Sequence, residues 1–228
     1  MTMRDIPEEA EKRTEPIVGW RVWNLDDDPT YGPLLLPAGS GSGAWWPRHA
    51  EEARCTLFSL FRLGKGKNHE APDPACSCGI YAARSLEIFE RPRPAWPPPP
   101  VVGTVSLWGR VVEHEFGWRA RFAYPARLRL VCSMCAWFEP GPGTPAVVHR
   151  FVGQLYPLCV KHRGGIEVPD TRVTKPTDID PAALQARLLD AYGVELLPLE
   201  LVENLFRQPR TPDPPAFRPS IHAVPVEE

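Results

Sequence analysis

The chain has 228 residues, 43% of them hydrophobic, and a net charge of −2. That length buries a real core and allows one domain with insertions or two small ones. The near-neutral charge excludes a chain-wide electrostatic grip on nucleic acid and leaves room only for a local basic face.

Residues 1–16 are mostly charged and read as a flexible tail without a signal-peptide core. No apolar run reaches spanning length, so the expected location is cytoplasmic, with no membrane partner. From Ile17 to Trp23 the chain alternates as a strand does. A Gly/Ser loop over 39–44 precedes Trp45-Trp46, the tryptophan pair expected to be exposed and functional. Ala50, Ala53, Leu57 and Leu60 fall at helical spacing and predict a short helix over 48–63, broken by the glycines of 64–68. Residues 79–83 read as a buried strand. Proline is abundant, at 29 residues against a usual share of about 5%. It crowds 91–100 and 209–225, where neither a ladder nor a helix interior forms, so these are linkers or extended loops.

The clearest β signal follows the proline run. Val105, Leu107 and Val111 share one face of a strand. A turn at Phe116-Gly117 returns a second, with Trp118, Ala120, Phe122 and Tyr124 on one face and Arg119 and Arg121 on the other. A third run, 127–131, leads into Cys132. Further on, Asp180-Pro181 starts a helix whose face is Leu184, Leu188 and Tyr192 and which Gly193 stops. Pro198 starts a second, with Leu201, Val202, Leu205 and Phe206 apolar. Residues 208–228 read as a disordered tail. The expected organisation is a β-rich core over 17–170, a zinc-ribbon-like insertion at 130–165 within it, and a helical pair over 171–207.

All six cysteines fall into two sets with metal-ligand spacing. Cys132-x-x-Cys135 and Cys159-x-x-His162 form two short turns separated by a loop, as in a zinc ribbon, where four protein ligands close a tetrahedral shell. His149 lies in the loop as a rival ligand. Cys55, His69, Cys76 and Cys78 form a looser upstream set, which reads as metal-binding or as packed free thiols. The expected cofactor is zinc. A zinc deaminase is excluded, because the His-x-Glu and Pro-Cys-x-x-Cys signature is absent: Glu70 directly follows His69.

The order of elements resembles the PUA-like β-barrel superfamily (ASCH, YTH, EVE and SRA-type domains). An early strand and a helix precede the short strand Gly79-Ile-Tyr-Ala-Ala83, and a proline-preceded segment Gly103-Thr-Val105-Ser-Leu107 is similar to the Gly-x-Val-x-Leu strand of ASCH-type domains. The resemblance covers about residues 17–130 and implies an α+β fold with a small, partly open barrel. It also implies RNA or a modified base as ligand, bound in a pocket by the barrel. The cysteines at 55, 76 and 78 and the insertion after 130 depart from it.

Arg110, Arg119, Arg121, Arg127 and Arg129 fall within the three β runs, and alternation gathers them towards one face near Trp108. Glu113 and Glu115 share a face at a strand end, with His114 opposite. The expected function is therefore a non-enzymatic, zinc-containing nucleic-acid-binding module. Its footprint is the arginine face, and Trp108 or His114 lies near a pocket. A zinc-stabilised protein-interaction module is the alternative. A convincing nucleophile is lacking.

Overall fold

A computed structural model describes residues 15–38, 43–55, 69–90, 99–137, 139–165, 167–168, 171–172 and 174–207. In chain order the strands are β1 (Ile17–Asp28), β2 (Gly32–Pro37), β3 (Glu51–Glu52), β4 (Ile80–Ala83), β5 (Val101–His114), β6 (Gly117–Leu130), β7 (Val147–Phe151), β8 (Gln154–Leu158), β9 (Glu167–Val168), β10 (Thr171–Arg172), β11 (Lys175–Pro176) and β12 (Glu195–Leu196). The helices are α1 (Glu87–Glu90), α2 (Ser133–Trp137), α3 (Pro181–Tyr192) and α4 (Asn204–Arg207), with a 3₁₀ turn at Leu199–Leu201. The expected tails, the linker over 91–98 and most of the helix expected over 48–63 lie outside the described residues.

Strands β5 and β6 form one long antiparallel hairpin turning at Glu115-Phe116. β1 lies antiparallel on the free edge of β5, from Ile17–Leu107 to Trp23–Val101. β4 pairs with the start of β6 and returns to β1 through Trp20–Ala83. These four strands make a partly closed ring. β2 folds back on the second half of β1. The β7–β8 hairpin joins beside it through Asp26–Gln154.

Two apolar cores result. One fills the ring with Trp23, Leu25, Val101, Val105, Leu107, Ala120 and Leu128, and α3 covers it with Leu184, Leu188 and Tyr192. Burying each of these leucines contributes roughly 1.5–3 kcal/mol. The other gathers Val102, Val131, Tyr156, Leu158, Val202, Leu205 and Phe206 around Cys132, Cys135 and Cys159. The Asp180 side chain caps α3 by accepting from Ala183 N at 2.7 Å, Pro181 opens the helix, and Gly193 ends it in the left-handed region.

The structure corrects four local expectations. Glu51 and Glu52 are not helical; they pair with Ala123 and Phe122 at the edge of β6. The second and third β runs are one 14-residue strand. Pro125 sits where the register shifts against Thr104 and Val105, beside a bulge that accommodates its missing N–H. The second C-terminal helix is broken into the 3₁₀ turn and α4, because Val202 leaves helical geometry at φ −122°. Trp45 is buried edge-on against Trp23, leaving only Trp46 exposed.

Tyr192 ties α3 to the ring. Its hydroxyl accepts from Leu35 N at 2.9 Å and donates to the Trp45 carbonyl, both buried. Tyr192→Phe leaves that amide and carbonyl unpaired, and a buried unsatisfied group costs about 1–3 kcal/mol. The urea midpoint should fall accordingly with an unchanged m-value; an unshifted midpoint contradicts this role.

Candidate metal centres and the adjoining cleft

β6 ends at Leu130, and two residues later Cys132 opens the single turn of α2, which brings Cys135 back beside it. Cys132 N donates to Gly143 O at 2.7 Å, fixing the entry to that turn. β8 delivers Cys159, and a tight turn with His162 N on Cys159 O at 3.0 Å delivers His162. His162 Nδ1 lies 3.4 Å from Cys132 Sγ, 3.4 Å from Cys135 Sγ and 3.3 Å from Cys159 Sγ, and Cys135 Sγ is 3.5 Å from Cys159 Sγ. A tetrahedral ion with sulfur at about 2.3 Å and nitrogen at about 2.0–2.1 Å separates its ligand atoms by roughly 3.5–3.8 Å, within a few tenths of an ångström of these distances. These four atoms therefore have the dimensions of one ion's shell.

Three further observations fit a cation. The three thiols are buried, and the Cys135 hydrogen bond pulls the Cys132 thiol well below its ordinary value. The same interaction pushes Cys135 up, and burial pushes Cys159 up. One thiolate is readily held while the others resist, and a cation is what allows all three to ionise together. Gly141 lies so close that a Cβ there would meet Cys135 Sγ at 2.6 Å. Finally, His162 Nε2 faces Glu139 Oε2 at 3.3 Å. Lys161 Nζ, 2.6 Å from Glu139, holds that carboxylate below its usual range. A carboxylate on the outer ring nitrogen fixes the tautomer that turns Nδ1 towards a metal. His149 is no part of this set; its Nδ1 is 3.0 Å from Thr174 Oγ1.

The upstream set is also assembled. Cys55, His69, Cys76 and Cys78 offer ligand atoms that all lie within 4.8 Å of one another. Cys55 Sγ is 3.8 Å from Cys76 Sγ, and Cys78 Sγ is 3.3 Å from His69 Nε2. All four residues are partly exposed. The Cys78 N–H is the main influence drawing the Cys76 thiol down to about 7, while burial pushes Cys78 up to about 11. The turn depends on Gly79, at φ +126°, where a Cβ would meet Arg119 and Pro72 side chains at 3.0 Å.

The arginines do not make a free basic face. Arg119, only 8% exposed, donates to the carbonyls of Cys76, Cys78 and Asp73 and so stitches the upstream turn to β6. Arg121 is paired with Glu52 at 3.0 Å and Glu70 at 3.1 Å. Arg127 pairs with Glu195 at 3.3 Å, and Arg129 Nε donates to Leu197 O. Arg110 is exposed beside the bulge at Gly109. Alternation put Arg119 outside; the cysteine turn, which comes from far along the chain, covers it. Trp108 stacks on Phe122, with ring centroids 6.0 Å apart.

His114 faces a cleft of about 1590 Å³ between the ring and the upstream set. Tyr31 and Trp46, edge-on at 4.9 Å, form one rim. Tyr81, Phe116 and His114 form the other. Arg21 lies over the Trp45 ring at 4.9 Å and donates to the Tyr81 carbonyl. Burial pushes Arg21 down to about 10 and Glu51 up, although each opposes the other's shift. Arg21 Nε and His114 Nε2 are buried and find no hydrogen-bond partner among the described residues. Arg21 and Glu51 escaped sequence reasoning because each stands alone in its segment, without a motif.

Arg119→Ala removes a charged donor from three carbonyls. Hydrogen bonds to charged groups contribute about 1.5–3 kcal/mol. We expect a lower urea midpoint and weaker metal retention by the upstream set alone. Wild-type stability in this variant would show that the stitching is dispensable. No protein-family model, no curated protein and no solved structure matches this chain.

Proposed function

We propose that this chain is a zinc-stabilised, non-enzymatic binding module on a PUA-like barrel, and that it takes a base of a nucleic acid into the cleft. The ring of β1, β5, β6 and β4 supports the barrel reading. Thiolates with one imidazole select a soft tetrahedral ion, and zinc fits that donor set. Four protein ligands leave no coordination position for a substrate, which favours a structural role. No helix among the described residues is long and apolar enough to cross a membrane.

One observation carries the ligand reading: flat aromatic rims and partly unsatisfied polar groups share one cleft. Trp46, Tyr31 and Tyr81 offer stacking surfaces, while Arg21, Glu51 and His114 offer edge contacts. A nucleobase presents both a face and a hydrogen-bonding edge. The engaged arginines favour a second reading, a protein-interaction module. With Arg119, Arg121, Arg127 and Arg129 held by local partners, little cation is left to track a phosphate chain.

Two measurements test this. Freshly purified protein should carry two zinc ions per chain. Cys132→Ser should lose one ion and the fixed structure of 132–162, since structural zinc supplies folding energy directly. A chain without zinc contradicts the reading. Single-stranded RNA of about 12 nucleotides should quench tryptophan fluorescence, because the base would stack on the cleft's aromatic rings. Trp46→Ala should weaken binding about 5- to 150-fold, the equivalent of one stacked base. An absence of RNA and DNA binding at low salt, or binding that Trp46→Ala leaves unchanged, moves the assignment to a protein partner.

A further inference from the structure

The two metal sets differ in ways that one shared structural role does not require. The downstream thiols are sealed within the second core, with Cys132 and Cys159 at 0% exposure. The upstream ligands are all partly open to solvent. The upstream set is also joined to the cleft on both sides. Glu51, Glu52, Ala53 and Arg54 line the cleft and run directly into Cys55. On the other side, Cys78 itself lines it, and the wall continues through Gly79 to Ala83. The first arm is held to β6 by Ala53 N on Arg121 O at 2.7 Å, and the second by Arg119 on the Cys76 and Cys78 carbonyls. An ion bound by Cys55, His69, Cys76 and Cys78 therefore fastens two walls of one cleft.

We propose that the upstream set is an oxidation-labile zinc site that controls the cleft, a deepening that rests on the zinc reading above. Its co-reactant is a hydroperoxide. Thiolates in reach of solvent are the ones such oxidants attack, and Cys55 Sγ and Cys76 Sγ already sit 3.8 Å apart. In the first step the Cys76 thiolate attacks one peroxide oxygen; the O–O bond breaks, a sulfenic acid forms and hydroxide leaves. In the second the Cys55 thiolate attacks the Cys76 sulfur; the S–S bond forms and a second hydroxide leaves. Two thiolates are oxidised by two electrons in all, and one hydrogen peroxide is reduced to two hydroxides. Cys78 is the poorer partner for Cys76, because a ring closed across one residue resists the disulfide dihedral near ±90°. His69 and Cys78 alone cannot retain the ion, so it leaves and the cleft walls lose their fastening. The downstream set, closed to solvent, keeps its ion.

The experiment uses the full chain loaded with two zinc ions and treated with hydrogen peroxide in slight excess. A chromophoric chelator follows released zinc, peptide mass mapping locates the new bond, and hydrogen exchange follows the cleft. We expect one ion released per chain and a Cys55–Cys76 disulfide. Amide exchange over 51–54 and 77–83 should rise at least about tenfold, with 132–162 unchanged. Dithiothreitol with added zinc should restore the starting state. The proposal is overturned by release of both ions together, by release of none, by a disulfide elsewhere, or by release that leaves exchange at the cleft unchanged. Before oxidant is added, a chain that holds a single ion overturns this proposal alone, and a chain that holds none overturns the parent zinc reading.

Discussion

Strand β6 is the member that the other elements share. Its length is paired with β5 on one edge, and on the other it takes β4, β3 and β12 in turn. A strand used on both edges has most of its backbone donors and acceptors paired, which fixes its register firmly. That register decides where everything functional goes. The start of β6 places Arg119 under the upstream cysteine turn, and its end delivers Cys132 to the downstream set. The bulges beside Pro125 in β6 and at Gly109 in β5 let a hairpin of this length bend with the ring instead of running straight past it.

Charge balance is the second constraint. Three buried thiols crowded within hydrogen-bond distance would repel one another once ionised, and among the described residues they meet one imidazole backed by a carboxylate. Such a cluster is comfortable only around a cation. The upstream set has the same donor chemistry in a wetter setting, tied by Arg119 to carbonyls and flanked by a cleft. On the zinc reading proposed above, one ion serves the core, and the other is placed where its loss is felt at a candidate binding surface.

The parts of the fold legible in the sequence are those written in local chemistry. The Cys-x-x-Cys and Cys-x-x-His spacings point to the downstream set because the turn geometry is contained in four residues. Helix α3 is legible from Asp180-Pro181 and Gly193, which act on their own backbone. The ring strands at 17 and 101 are legible from alternation, and the one at 80 from its short apolar run. What alternation does not reveal is which face a distant segment will cover. Arg119 reads as solvent-facing because nothing within ten residues announces the turn at Cys76. Trp45 reads as exposed because Trp23, its partner, lies 22 positions earlier. The second and third β runs read as separate because the bulge that carries one strand past Pro125 depends on its pairing with β5. The cleft is the least legible feature, since its groups come from β1, the 43–54 segment, β4 and the β5–β6 turn.

The central claim is that two four-ligand metal shells, each of three sulfurs and one imidazole nitrogen, hold this fold, one within its second core and one beside the cleft. X-ray absorption at the zinc edge on the purified chain tests it most directly. The expected spectrum fits an average of three sulfur scatterers at about 2.3 Å and one nitrogen at about 2.0–2.1 Å per zinc, with two zinc ions per chain. Fewer sulfurs per ion, or a water oxygen in the shell, would contradict the closed, protein-only coordination on which the assignment of both sites rests.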